Sequence, residues 1–144
     1  MNVKEFLAII LPTEGWYCVQ GMKPASIPIV TWHKDIESAA KEAYALSNNG
    51  YDAYYACASY GTNTRREQTN VLYCRSFWLD IDCGEKKGYP TQELAVESLV
   101  TFANTLKLPA PTIVSSGYGI HVYWAQNVDI PRAEWKQVAE QLKV

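Results

Sequence analysis

Two stretches of this sequence carry side chains whose types and spacing could do chemistry. The first is Ser76-Phe77-Trp78-Leu79-Asp80-Ile81-Asp82. Strand alternation sends Phe77, Leu79 and Ile81 to one face and both aspartates to the other. A rise of ~3.3 Å per residue then sets the two aspartate Cα atoms roughly 6.5–7 Å apart. Carboxylates at that spacing can converge on divalent cations held about 3.5–4 Å apart, the geometry of two-metal phosphoryl transfer. The alternative is a pair of strand-end acids facing water or bonded to nearby amides. The apolar strand favours the metal, because an uncompensated carboxylate is costly to bury and two adjacent ones repel. A D-x-D pair alone is a short motif with little specificity.

The second stretch is Ser115-Ser116-Gly117-Tyr118-Gly119-Ile120-His121-Val122-Tyr123-Trp124, which reads as a strand, a two-glycine turn and a returning strand. Glycine allows positive φ and lets a ligand approach the backbone closely. His121 and Tyr123 share one face, and Ile120, Val122 and Trp124 the other. An imidazole beside exposed turn amides and the Ser116 hydroxyl can bond a triphosphate; it can equally be satisfied by a carbonyl in a hairpin that is merely tight. Tyr123 and Trp124 are expected to pack, with base stacking as the tyrosine's other use.

These residues need elements to hold them. Helical spacing predicts a short helix over Asn2–Ile10, ended by Pro12. Strands are expected at Trp16–Val19 and Ile27–Trp32, with a turn region over Gly21–Pro28 between them. Asp35 or a neighbour caps a helix whose buried face is Ile36, Ala39, Ala40, Ala43 and Leu46, closed by Asn48-Asn49-Gly50. Ala53–Ser59 reads as a strand and Gly61–Asn70 as a polar loop. Val71–Asp82 is the clearest strand, apolar on both faces and so central. Tyr89-Pro90-Thr91 starts a helix with the stripe Ala95, Leu99, Phe102, Ala103 and Leu106, followed by strands at Thr112–Ser115 and Ile120–Trp124. Pro131 opens a last helix with Trp135, Val138, Ala139 and Leu142 on one face. That stripe calls for a further strand, so the chain reads as truncated before the last strand or strands of its sheet.

The 144 residues suit one domain with a real core, and 48% apolar against 19% charged is a globular balance. A net charge of −2 argues against strong sequence-blind duplex binding. Locally, Arg65, Arg66 and Arg75 precede the acidic motif and Lys86 and Lys87 follow it, which fits a solvated loop as well as nucleic acid. Cys18, Cys57, Cys74 and Cys83 form no CxxC pair, and His33 stands apart from His121, so zinc is not expected and the cysteines read as small buried hydrophobes. No apolar run approaches a membrane span and no secretory signal is visible, so a cytoplasmic protein without membrane contact is the expectation.

Together, Phe77-Trp78-Leu79-Asp80-Ile81-Asp82-Cys83-Gly84 and, about 40 residues on, Ser116-Gly117-x-Gly119-x-His121-x-Tyr123-Trp124 resemble the archaeo-eukaryotic primase superfamily, most of all its bacteriophage and plasmid primase-polymerases. The likeness is dense from about Tyr73 to Leu142. It implies an α+β fold: an RNA-recognition-motif-like catalytic unit over 71–144, with an N-terminal α/β unit over 1–70, in one incomplete domain over 1–144. It implies Mg²⁺ or Mn²⁺ on Asp80 and Asp82, nucleotide phosphates on Gly119 and His121, and Ser116 and Gly117 lining the turn. The implied catalytic set is Asp80, Asp82 and His121; the implied partners are a single-stranded DNA template, NTP or dNTP, and a helicase domain or other replication protein in a longer parent, inside a bacterial or phage-infected cell. The family's third acidic residue has no counterpart after His121, and Asp129, just ahead of Ile130-Pro131, reads as a helix entry. The cysteine-bearing stem of some relatives is absent too.

Two other readings stand beside this one. A primase-derived domain can persist as a non-catalytic nucleotide- or partner-binding module. A rolling-circle nicking endonuclease is suggested by His121-Val122-Tyr123, but that chemistry wants a second histidine where Tyr123 stands. From the missing strand, residues 1–144 alone are expected to synthesise little or no DNA or RNA; labelled-nucleotide incorporation on single-stranded template checks this, and robust synthesis overturns it.

Overall fold

The computed structural model describes residues 1–142 of the chain. The fold is α+β, with helices and two antiparallel sheets. The chain forms two compact units, one from Met1–Arg75 together with the chain from Gln126 onward, the other from Ser76–Ala125.

The first unit opens with α1 (Val3–Ile10), held at its start by a reciprocal cap. Glu5 N–H donates to the Asn2 side chain at 2.8 Å, and Asn2 N–H donates to the Glu5 carboxylate at 3.1 Å. Strands β1 (Tyr17–Met22), β2 (Ile29–His33) and β3 (Asp52–Tyr55) form an antiparallel sheet in the order β2-β1-β3. Helix α2 (Ile36–Asn48) is capped by Asp35, which accepts from Ser38 N–H at 2.7 Å, and buries Ala39, Ala40 and Leu46. The expected turn at Gly21 begins later, because Gly21 pairs with Ile29 inside β1. A Cβ at Gly21 would lie 2.7 Å from a Leu46 methyl, so the missing side chain lets α2 close on the strand.

The strand expected over Ala53–Ser59 is divided between two sheets. Its first part is β3, and its end, β4 (Ser59–Tyr60), pairs instead with β5 (Val71–Asp82). The polar loop between β4 and β5 folds around Asn70, whose amide donates to the Thr62 and Arg65 carbonyls and whose oxygen accepts from the Thr62 amide and hydroxyl. Of the cysteines, Cys18 and Cys74 are buried, and burial pushes the Cys74 thiol up to about 11, as suits a small hydrophobe. Cys57 and Cys83 are only half-buried.

Beyond β5 come α3 (Gln92–Thr105), β6 (Thr112–Ser115), β7 (Gly119–Pro131) and α4 (Arg132–Leu142). The sheet order is β4-β5-β7-β6. Strand β7 runs seven residues past its expected end at Trp124 and contains Asp129, which is therefore a strand residue and not a helix entry. The Asp129 carboxylate accepts from Thr13 N–H (2.9 Å), the Thr13 hydroxyl (2.8 Å) and Glu14 N–H (3.2 Å). The α3 stripe stops at Ala103, since Leu106 at the C-cap is 54% exposed. No described side chain of α4 is buried, so its expected apolar stripe is not a core face. Among the described residues, no helix is long and apolar enough to cross a membrane.

His33 sits within hydrogen-bond reach of the Thr31 hydroxyl (2.8 Å) and the Ser38 hydroxyl (2.7 Å). Burial lowers its pKa, against smaller opposing effects of Glu42 and Asp35. The unfolded chain then takes up this proton first, so stability is full above the ordinary histidine range and falls as pH drops through the lowered value. Urea unfolding at a series of pH values should show that loss between neutral and mildly acidic pH, and His33→Gln should remove that part of it.

Candidate active site

Both sequence motifs lie in the second unit, at one end of the neighbouring strands β5 and β7. Strand β5 buries Cys74, Ser76 and Phe77 in its middle and leaves Asp80 and Asp82 exposed at its end. The two aspartate side chains are 66% and 67% exposed, so desolvation does not press for a cation here. That corrects the burial argument made from the apolar strand. What the fold does supply is convergence: His121 Nε2 lies 3.5 Å from Asp80 Oδ1, which puts the imidazole and the carboxylate on the same face. Lys87 extends back over Asp82, with Nζ 3.7 Å from Oδ2.

The close approach of the two strands depends on Gly119. A Cβ built there would collide with the Ile81 carbonyl oxygen and come within 3.0 Å of Asp82 Cα. The strand ends are tied just beyond, where Cys83 N–H donates to the Tyr118 carbonyl at 2.8 Å. Gly119 therefore acts on the site by letting β7 lie against the aspartate strand. Across the hairpin, His121 pairs with Val114 and Ile120 with Ser115.

The turn is more self-satisfied than its sequence suggests. Ser116 N–H donates to the Gly119 carbonyl at 2.9 Å, and Gly117 N–H reaches the Ser115 hydroxyl at 3.5 Å. Ser116 and Gly117 are exposed at the tip, and Gly117 has φ +92° with open space where a side chain would be. Gln92, at the first turn of α3, was not singled out in the sequence. Its amide donates to the Ser115 hydroxyl and to the Gly119 carbonyl, both at 3.0 Å, and so ties the helix start to the hairpin. A glutamine directly after a capping threonine gives no signal of such a role.

Tyr123 and Trp124 are buried packing residues, and the Trp124 indole N–H donates to the Pro109 carbonyl at 3.0 Å. The basic residues ahead of the motif are in the first unit. There Arg75 Nε donates to the Gln126 carbonyl at 3.0 Å and Arg65 pairs with Glu67 at 3.7 Å. Among the described residues, no three His, Cys, Asp or Glu side chains are grouped to hold a metal ion. Asp80 and Asp82 are the carboxylates at this end of β5, and both face solvent.

Neither a family model nor a curated protein matches the chain. Among solved structures, it is similar to the AEP domain of the Cyanophage S-2L Primase-Polymerase (PrimPol), with a TM-score of 0.66 at 13% identity, covering 98% of this chain and 69% of that one. The α+β fold of the chain is similar to that of this domain. At so low an identity the likeness speaks for the fold alone.

Gly119→Ala should overpack the strand pair and destabilise the protein by about 1–3 kcal/mol or more, read by denaturant unfolding. Gly88→Ala, in open space, should change stability little.

Proposed function

We propose that Asp80 and Asp82 hold Mg²⁺ or Mn²⁺, that His121 and the turn at Ser116, Gly117 and Gly119 receive the phosphates of a nucleoside triphosphate, and that the site serves nucleotidyl transfer on a single-stranded DNA template. The observation that carries this reading is the 3.5 Å approach of His121 to Asp80 on neighbouring strands, in a fold like that of a phage primase-polymerase domain.

The residues fit the ion. Mg²⁺ favours oxygen ligands, keeps several waters and is commonly held by one or two carboxylates together with substrate phosphates. Two solvent-facing aspartates meet that description without further protein ligands. When bound, the cation supplies charge neutralisation and Lewis acidity at the phosphates and the attacking hydroxyl.

In the proposed reaction the 3′-hydroxyl oxygen bonds to the α-phosphorus while the bond to the β-phosphate oxygen breaks. Pyrophosphate leaves and the hydroxyl proton passes to solvent. The chain's own part is positioning and electrostatics, which dominate phosphoryl transfer. His121 offers a ring N–H toward phosphate oxygens, the Ser116 hydroxyl adds a donor at the turn, and Gly117 keeps the approach open. Gln92 and Gly119 fix the hairpin on which these groups stand.

A second reading is a module that binds metal and nucleotide without turnover. The absence of a third grouped acidic ligand among the described residues favours it. Binding and incorporation assays separate the two readings.

Calorimetry should detect a nucleoside triphosphate with Mn²⁺, and Asp80→Ala with Asp82→Ala should weaken binding by at least ~10-fold, a loss already seen for outer-shell changes at metal sites. His121→Ala should weaken nucleotide binding while leaving Mn²⁺ binding alone nearly unchanged. Wild-type protein that takes up neither ligand would remove this reading.

A further inference from the structure

The first unit carries a second surface with recognisable chemistry. In β1, Gly21 faces Leu46 of α2, so Cys18, Gln20 and Met22 project to the opposite face of the sheet. Directly opposed residues of antiparallel strands share a face. Trp32 and Val30 of β2 and Tyr54 of β3 therefore join them, through the pairs Cys18 with Trp32, Gln20 with Val30, and Gln20 with Tyr54. The face is open toward Tyr54, which is 52% exposed, and toward Val30 and Met22, each 43% exposed, while Cys18 is buried and Trp16 and Trp32 are partly exposed.

One cation lies on a ring at the end of this face. Lys34 Nζ stands 4.6 Å from the centre of the Trp16 ring, just before β1. Trp32 meets Tyr60 edge-on, with centroids 5.3 Å apart. Arg66, from the loop ahead of β5, hydrogen-bonds the Gln20 side chain in the middle of the face. Its neighbour Arg65 is offset by Glu67, and Asp52 stands opposite Met22 at the far end. From Trp16 to Met22 the platform is about 20 Å long, at ~3.3 Å per residue.

We infer that this face binds a single-stranded polynucleotide, with bases stacked on Trp16, Trp32 and Tyr54 and phosphates met by Lys34 and Arg66. The inference rests on the reading above, to which it adds a surface for the template strand. Accessible rings with cations nearby are what sequence-tolerant single-strand binding uses, and ~20 Å suits about four nucleotides, the low end of known site sizes. A duplex, its bases already stacked, cannot use the rings. A dry protein interface would have to strip water from Lys34 and Arg66, which the fold leaves solvated.

The test is anisotropy of labelled oligothymidylate on the full chain, with oligouridylate to distinguish DNA from RNA and a duplex as a further arm. Tyr54→Ala, at an exposed position, should weaken single-strand binding about 5-fold or more, the low end for one lost stack. Lys34→Ala with Arg66→Ala should reduce the slope of log affinity against log salt by about 1.4, at ~0.7 per phosphate contact on single strands. Asp80→Ala with Asp82→Ala should leave this binding unchanged. If the face variants lose the oligonucleotide while wild type takes up no Mn²⁺ or nucleotide, the catalytic reading fails and this one stands. No oligonucleotide binding, unchanged affinity and slope in the face variants, or equal affinity for the duplex would overturn it.

Discussion

The candidate site depends on one close approach, the backbone of Gly119 lying against Ile81 and Asp82. A side chain at that point would push β7 away from β5, and the strand separation is what sets His121 within reach of Asp80. The constraint is steric and acts on the backbone, so it fixes the geometry before any charge is considered. The ties from Gln92 and from Cys83 N–H then hold the hairpin and the strand end in that register.

Much of this layout was legible in the residues, and the reasons are local. Val71–Asp82 is a strand with the bounds its apolar pattern predicts, and the helices expected from about Asn2, Asp35 and Thr91 are present, each with a side-chain cap at its start. Period-2 alternation correctly puts both aspartates on the side away from Phe77, and the short glycine turn returns the chain as a hairpin. The pairing of His121 with Asp80 follows from that alternation once β5 and β7 are neighbours, a fact of topology that the spacing of the motifs does not contain.

What was not legible rests on long-range contact. The segment after Asp52 reads as one strand, but the change from pairing with β1 to pairing with β5 depends on partners elsewhere in the chain. Asp129 precedes Ile-Pro and so resembles a helix entry; only the amides of Thr13 and Glu14 show that its carboxylate serves a strand contact. The apolar context of Asp80 and Asp82 suggested burial, whereas a strand end leaves its last side chains in water whatever precedes them. Trp16, Trp32 and Tyr54 gave no periodic signal, because the face they share is assembled from three strands.

The bond between Thr13 and Asp129 spans 116 positions of the sequence. The first unit is built from both ends of the described chain, with Ser76–Ala125 entering as an excursion between its two portions. During synthesis the amides at Thr13 and Glu14 must wait for β7 to leave the ribosome before this carboxylate reaches them, whereas the hairpin at Gly117 closes over a few residues. Contacts separated by so much chain form late and slowly. This one tie therefore closes only after β7 is made, whereas the sheet β2-β1-β3 and its helices, contiguous in sequence, have their own contacts in hand well before it.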